Sequence, residues 1–150
     1  MTPEPFSRPD LELGILAAFD AICARVADEM RGLADGALAH GDMRTLNLLA
    51  GSRGMAQGEM AARLGLSAVG VSRQMEALER AGLIERRPHQ FDRRSKVAAL
   101  TADGQALVLR MRQRSGELAR DLFRDTPDER LAMLGVVSAQ AAGRLSNARR

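Results

Sequence analysis

The segment Gln57-Gly-Glu-Met-Ala-Ala-Arg-Leu-Gly-Leu-Ser67, continued by residues 68–84, constrains the fold more than any other part of this chain. Residues 57–64 read as a short helix and Gly65-Leu66-Ser67 as a tight turn. Ser67 is a good N-cap for a second helix over 68–81, because its side-chain oxygen takes one of the orphan amides of the first turn. In that helix Val71, Met75 and Leu78 recur at i, i+4 and i+7 and predict one buried face, with Ser72, Arg73, Gln74 and Glu76 largely off it. Gly82 ends the helix. Leu83-Ile84 starts a strand whose return partner is Val97-Ala-Ala-Leu100, with residues 88–92 at the tip, and Thr101 caps the next helix. Helix, turn, helix and charged hairpin, in that order, are a device that seats one helix in a groove of duplex DNA and a ribbon beside it.

Charge is placed to suit that device. The net charge of the 150 residues is only +3. Yet residues 84–96 carry Arg86, Arg87, Arg93, Arg94 and Lys96 against Glu85 and Asp92, an excess equal to that of the whole chain. Nearly all the positive charge is arginine, whose planar fork suits phosphates and guanine edges. A concentrated basic segment is what phosphate binding needs. Other function classes find little support. Only two histidines are present, His40 and His89, each in an expected turn. No Cys-x-x-Cys, His-Glu-x-x-His or phosphate loop with its lysine occurs, so no catalytic residue, metal or cofactor is expected. One cysteine, Cys23, excludes an internal disulfide framework and reads as a small buried apolar residue. No apolar run approaches the roughly 18 residues of a membrane span. The start Met1-Thr-Pro-Glu-Pro-Phe-Ser7 lacks the basic-then-apolar order of a secretory signal, so a cytoplasmic location is expected.

The flanks read as helices. Pro3, Pro5 and Pro9 make the first nine residues a loose arm, and Asp10 looks like an N-cap. Beyond it Leu11, Ile15, Phe19, Ile22, Val26, Met30, Leu33 and Leu38 recur at helical spacing. His40-Gly41 stops that helix, with Gly41 as the left-handed residue, and Asp42 caps a short helix holding Leu46, Leu48 and Leu49. Leu107, Val108, Met111, Leu118 and Leu122 mark a long helix over 102–123. Thr126-Pro-Asp-Glu129 opens a last helix with Leu131, Leu134, Val137, Ala141 and Leu145. The eight methionines read as core filler. Six helices and one two-stranded hairpin are expected in one domain over 1–150.

Over residues 43–109 the order and the residues resemble the MarR family of winged-helix transcription regulators. The matching stretches are Glu59-Met-Ala-Ala-Arg-Leu-Gly-Leu-Ser67, Val71-Ser-Arg-Gln-Met-Glu-Ala-Leu78, Ala81-Gly-Leu-Ile-Glu-Arg86, Asp92-Arg-Arg94 and Leu100-Thr-Ala-Asp-Gly104. The resemblance implies a mostly α fold with a small β-hairpin wing. In it a winged helix-turn-helix over 42–101 is flanked by N- and C-terminal dimerisation helices over 10–40 and 102–147. It also implies a homodimer that binds double-stranded DNA at a pseudo-palindromic operator, with half-sites about one helical turn apart. The resemblance further implies a repressor with relief by a small apolar or phenolic effector. A winged-helix module that binds another protein and not DNA is the alternative left open.

Candidate contacts follow. Ser67 starts the recognition helix, where free amides favour a phosphate. Ser72, Arg73 and Gln74 suit base edges or phosphates. In the hairpin, the resemblance places Arg94 in the minor groove with Asp92 as the carboxylate that orients it, and His89, Gln90 and Arg93 are further phosphate candidates. Of Arg86 and Arg87, one is expected to face DNA and the other to pair with protein. Phe91 is expected to pack under the wing. Gly70 departs from the family pattern, in which a small hydroxyl residue is common. One branch of the family senses organic peroxides through a cysteine of its first helix paired with tyrosines; this chain has no tyrosine, so Cys23 is expected to be structural.

Overall fold

The helical periodicities and the one short β pairing are realised as nine elements in a computed structural model that describes residues 7–33, 38–88 and 96–147. The elements are α1 (Arg8–Leu33), α2 (His40–Ala50), β1 (Met55–Ala56), α3 (Gln57–Leu64), α4 (Ala68–Arg80), β2 (Ile84–Pro88), β3 (Lys96–Leu100), α5 (Ala102–Leu122) and α6 (Asp128–Asn147). Two compact units result, the first ending at Ser115 and the second beginning at Gly116.

Within the first unit the core is aliphatic and rich in sulfur. Leu46, Leu49, Met60, Leu78, Ile84 and Val71 are its most deeply buried large side chains, and Met30, Met43, Met55, Met75 and Met111 fill the spaces between them. Methionine suits such a core because its unbranched side chain adapts to irregular gaps between short helices. The buried face of α4 is the one its spacing predicts: Val71, Met75 and Leu78. β3 is the central strand of a three-stranded antiparallel sheet, order β1-β3-β2, with Met55 opposite Ala98 and Ile84 opposite Leu100. The third strand, β1, has no signal in the sequence, since two residues carry no alternation. Gly54 before it has φ 139°, and a Cβ there would lie 2.8 Å from Val97 Cγ2, so the chain reaches the sheet through a position only glycine fits.

Several helix ends differ from expectation. α1 begins at Arg8, two residues before Asp10, and takes Pro9 into its first turn. Ser7 is the residue before the helix, and the amide of Asp10 donates to its Oγ at 3.4 Å. Proline is tolerated there because a first-turn amide has no intrahelical partner to lose. At the other end α1 is described as far as Leu33, and residues 34–37, on which its expected continuation falls, lie outside the described residues. Gly41 is not a left-handed stop. It sits inside α2, where a Cβ would run into Gln74 Nε2. Asp42 is not the cap itself; it is the third residue of α2, and its carboxylate accepts from the amide of Ala39 at 3.0 Å. A carboxylate at that place also favours the positive end of the helix dipole.

Thr101 is the joint of the lobe. Its Oγ1 accepts from the amide of Gly104 at 3.0 Å and donates to the carbonyl of Gly82 at 2.6 Å, while its own amide donates to the carbonyl of Leu83 at 3.1 Å. One residue therefore caps α5 and ties it to the turn after α4. Gly104 is buried in the same place, and a Cβ there would collide with the Leu83 carbonyl oxygen. Farther along, Arg114 donates to Glu29 at 2.8 Å and fastens α5 to the second half of α1.

The first half of α1 is apolar and uncovered. Leu11, Leu13, Ile15, Leu16 and Phe19 are all exposed. Cys23 is exposed as well and not a buried core residue, because the packed side of α1 begins later, at Val26, Ala27 and Met30. In the second unit, α6 likewise exposes Met133, Leu134, Val136, Val137 and Leu145. Among the described residues no helix is long and apolar enough to cross a membrane.

Candidate nucleic-acid interface

A helix-turn-helix works only if the second helix is held rigidly against the first. Here α3 ends at Gly65, whose φ of 67° is the left-handed conformation that suits glycine, and the amide of Leu66 returns to the carbonyl of Ala61 at 3.1 Å. Two residues later Ser67 Oγ accepts from the amide of Gly70 at 3.1 Å and starts α4 as its spacing predicts. Gln57, the first residue of α3, donates from Nε2 to the carbonyl of Ala68 at 3.1 Å, a second clamp across the turn. The far end of α4 is closed by Gly82, φ 70°, with Gly82 and Leu83 donating to the carbonyls of Glu79 and Leu78.

The outer side of α4, opposite its buried face, carries Val69, Arg73, Glu76 and Arg80, with Ser72 on its shoulder. Arg73 is exposed and makes no hydrogen bond or ion pair among the described residues. Three other residues expected at the site have intrachain partners. Ser67 is engaged as the cap. Ser72 Oγ donates to Glu76 Oε1 at 3.1 Å. Gln74 lies on the flank nearer the core, half-buried, and its Oε1 accepts from the hydroxyl of the fully buried Thr45 at 3.0 Å. That hydroxyl also lies 3.1 Å from the Gly41 carbonyl, and its single hydrogen serves one acceptor at a time. Gly70, half-buried, brings no side chain to the start of α4. A Cβ there would meet Ser67 Oγ at 3.3 Å and Leu66 Cβ at 3.9 Å, both within its own turn.

Beside α4 rises the hairpin of β2 and β3. Neither arginine of β2 is free of acid. Arg86 pairs with Glu79 of α4 at 3.2 Å, and Arg87 donates from Nε to Glu85 at 2.7 Å. The expectation that only one of them pairs with protein is thereby corrected: two consecutive positions on an exposed strand each find a carboxylate within reach. The tip residues His89, Gln90, Phe91, Asp92, Arg93 and Arg94 lie outside the described residues.

Behind the sheet, α2, β2, β3 and α5 line an open pocket of about 690 Å³. Its wall combines Leu49 and Val108 with Gln105 and three arginines, Arg53, Arg87 and Arg112. Arginine supplies paired donors that fit an oxygen-rich edge. No signal in the sequence marked the pocket, since its arginines come from three separated segments.

Comparison with known proteins matches residues 38–95 to the model of the MarR family. No curated protein matches the chain significantly. Among solved structures, RV1404 from Mycobacterium tuberculosis is 26% identical with a TM-score of 0.75, over 93% of this chain and 97% of that one. Streptococcus pneumoniae FabT, solved in complex with DNA, has a TM-score of 0.83 at 17% identity, over 94% and 99%. Wild-type MarR from E. coli in its apo form has a TM-score of 0.69 at 18% identity, over 92% and 98%.

Proposed function

We propose that this chain, whose residues 38–95 match the model of the MarR family, is a non-enzymatic, sequence-specific DNA-binding transcription regulator of the cytoplasm. The observation that carries the proposal is Arg73: an exposed arginine without a partner among the described residues, on the outer side of a helix clamped at both ends, beside a hairpin. Ser67 and Gly70, which adds no side chain, bring the positive end of α4 towards a phosphate. Arg73 takes a guanine edge or a phosphate. Ser72 and Gln74 join it by exchanging their intrachain partners for DNA. Arg93 and Arg94 carry the phosphate and minor-groove contacts of the wing, Asp92 orients Arg94, and His89 and Gln90 add backbone contacts.

The assembly is a homodimer. Its support is the uncovered apolar surface of α1 and of α6, which a lone chain would leave in water. We assign residues 10–40 and 102–147 to dimerisation and 42–101 to DNA binding. A two-fold dimer reads a pseudo-palindromic site. The regulator acts as a repressor, and a small apolar or phenolic effector in the arginine-lined cavity relieves it.

Recovery of bound fragments from the native genome tests the reading and supplies the operator. With that operator, Arg73→Ala is expected to lower the ratio of specific to non-specific affinity by about ten- to a hundredfold, the worth of one bidentate base contact. Arg94→Ala is expected to weaken binding to all sequences and to flatten its salt dependence. A folded chain that binds no duplex at low salt overturns the reading. Arginine variants that bind a partner protein normally, with no DNA affinity to lose, establish the protein-interaction alternative.

A further inference from the structure

The outer side of α4 holds one residue that the polar-contact argument passes over. Val69 is 61% exposed, one of the more exposed large apolar residues of the first unit. It is the second residue of α4, four before Arg73, and therefore sits beside it on the same stripe. Among the described residues it stands largely open. Its neighbour Gly70 bears no side chain, so Val69 stands clear at the start of the helix. The N-terminal residues of a recognition helix are the ones that reach base edges in the major groove. Meanwhile Ser67, Ser72 and Gln74 are each bonded within the chain. The two side chains of this surface that are both exposed and uncommitted near its start are a guanidinium and an isopropyl group.

We propose that Val69 is a specificity residue that reads the 5-methyl group of thymine. That methyl is the only apolar group any base edge presents in the major groove. A branched aliphatic side chain has no other base-edge partner there, and burying it against polar edges would strand their hydrogen-bonding groups. Four residues of helix advance about 6 Å, and successive base pairs rise about 3.4 Å. The thymine therefore lies within about two base pairs of the guanine or phosphate that Arg73 engages, once in each half-site. This inference rests on the DNA-binding reading above and names one letter of the site.

The test replaces each thymine of the selected operator in turn by deoxyuridine, which keeps base pairing and removes only the methyl. Affinity of the full chain is measured by fluorescence anisotropy. At one thymine per half-site the unaltered protein loses about fourfold, the worth of one buried methyl-sized group. Val69→Ala weakens operator binding, shows no uracil penalty at that thymine, keeps its penalties elsewhere, and binds random duplex as before. Val69→Ile retains the penalty. Equal sensitivity of Val69→Ala and the unaltered protein, or indifference of the unaltered protein to every uracil, overturns the assignment while leaving DNA binding intact. Failure to bind any duplex overturns both.

Discussion

At the scale of single residues, two glycines of one helix show how differently the same residue is used. Gly104 lies where α5 crosses the turn after α4, against a carbonyl that already accepts from Thr101. Gly116 lies in the same helix with nothing within 4 Å of an added Cβ. Gly104→Ala is expected to destabilise the fold by about 1–3 kcal/mol, because backbone and not a pliable side chain must move. Gly116→Ala is expected to stabilise by up to about 1 kcal/mol through helix propensity alone. Urea midpoints of the two variants decide the matter, and equal midpoints would refute the packing argument. The Leu-Thr-x-x-Gly run, first met as a resemblance, thus acquires a cause: the threonine caps and ties, and the glycine permits the approach. Gln74 teaches the converse. Its residue type suits a base edge, yet its place beside Thr45 decides what it touches in the free chain.

At the scale of elements, the second half of α1 is held to α5 by charge. Glu29 receives a hydrogen bond from Arg114 and also faces Arg25. The hydrogen bond from Arg114 is the main cause that holds its carboxyl below the ordinary carboxylate range; the charges of Arg114 and Arg25 add to this and partial burial opposes it. A carboxylate with a lowered pKa in the folded state contributes stability that is present above its unfolded pKa and is lost as pH falls through the folded one. Glu29→Gln is therefore expected to be less stable than the unaltered chain near neutrality, with a gap that narrows below about pH 4. Urea titrations at several pH values would read this, and a gap independent of pH would show that charge is not what joins the two helices. The wing follows similar logic. Since Arg86 and Arg87 are already matched by Glu79 and Glu85, the phosphate work proposed for the hairpin falls to Arg93 and Arg94.

At the scale of the molecule, the open question is what covers the apolar surfaces of α1 and α6. A second copy of the chain is the proposed answer. Val137→Glu, at an exposed position of α6, is expected to shift the protein from dimer to monomer in sedimentation velocity without unfolding the first unit. Operator affinity should fall with it by a hundredfold or so, because the second recognition helix then binds as a separate molecule. A variant that remains dimeric would remove this surface from the interface. Cys23 belongs to this scale too, since it is exposed on α1, the helix proposed to meet a second copy.

How much was legible beforehand divides along a physical line. Local signals act over one or two turns, and they were readable: Ser67 as a cap, Gly65 in the turn, Gly82 as the end of the helix, and the Val71, Met75 and Leu78 face were all written in residue type and spacing. So was the order of elements from which the winged helix follows. Contacts between distant segments were not, because periodicity carries no information about what a side chain meets across space. The strand Met55–Ala56, the bond between Thr45 and Gln74, the acids beside Arg86 and Arg87, and the cavity between α2 and α5 each join pieces far apart in the chain. The candidate surface shows the same split: its arginine was evident from composition and place, whereas which of its neighbours remain free to meet a base emerged only once folding had assigned their partners.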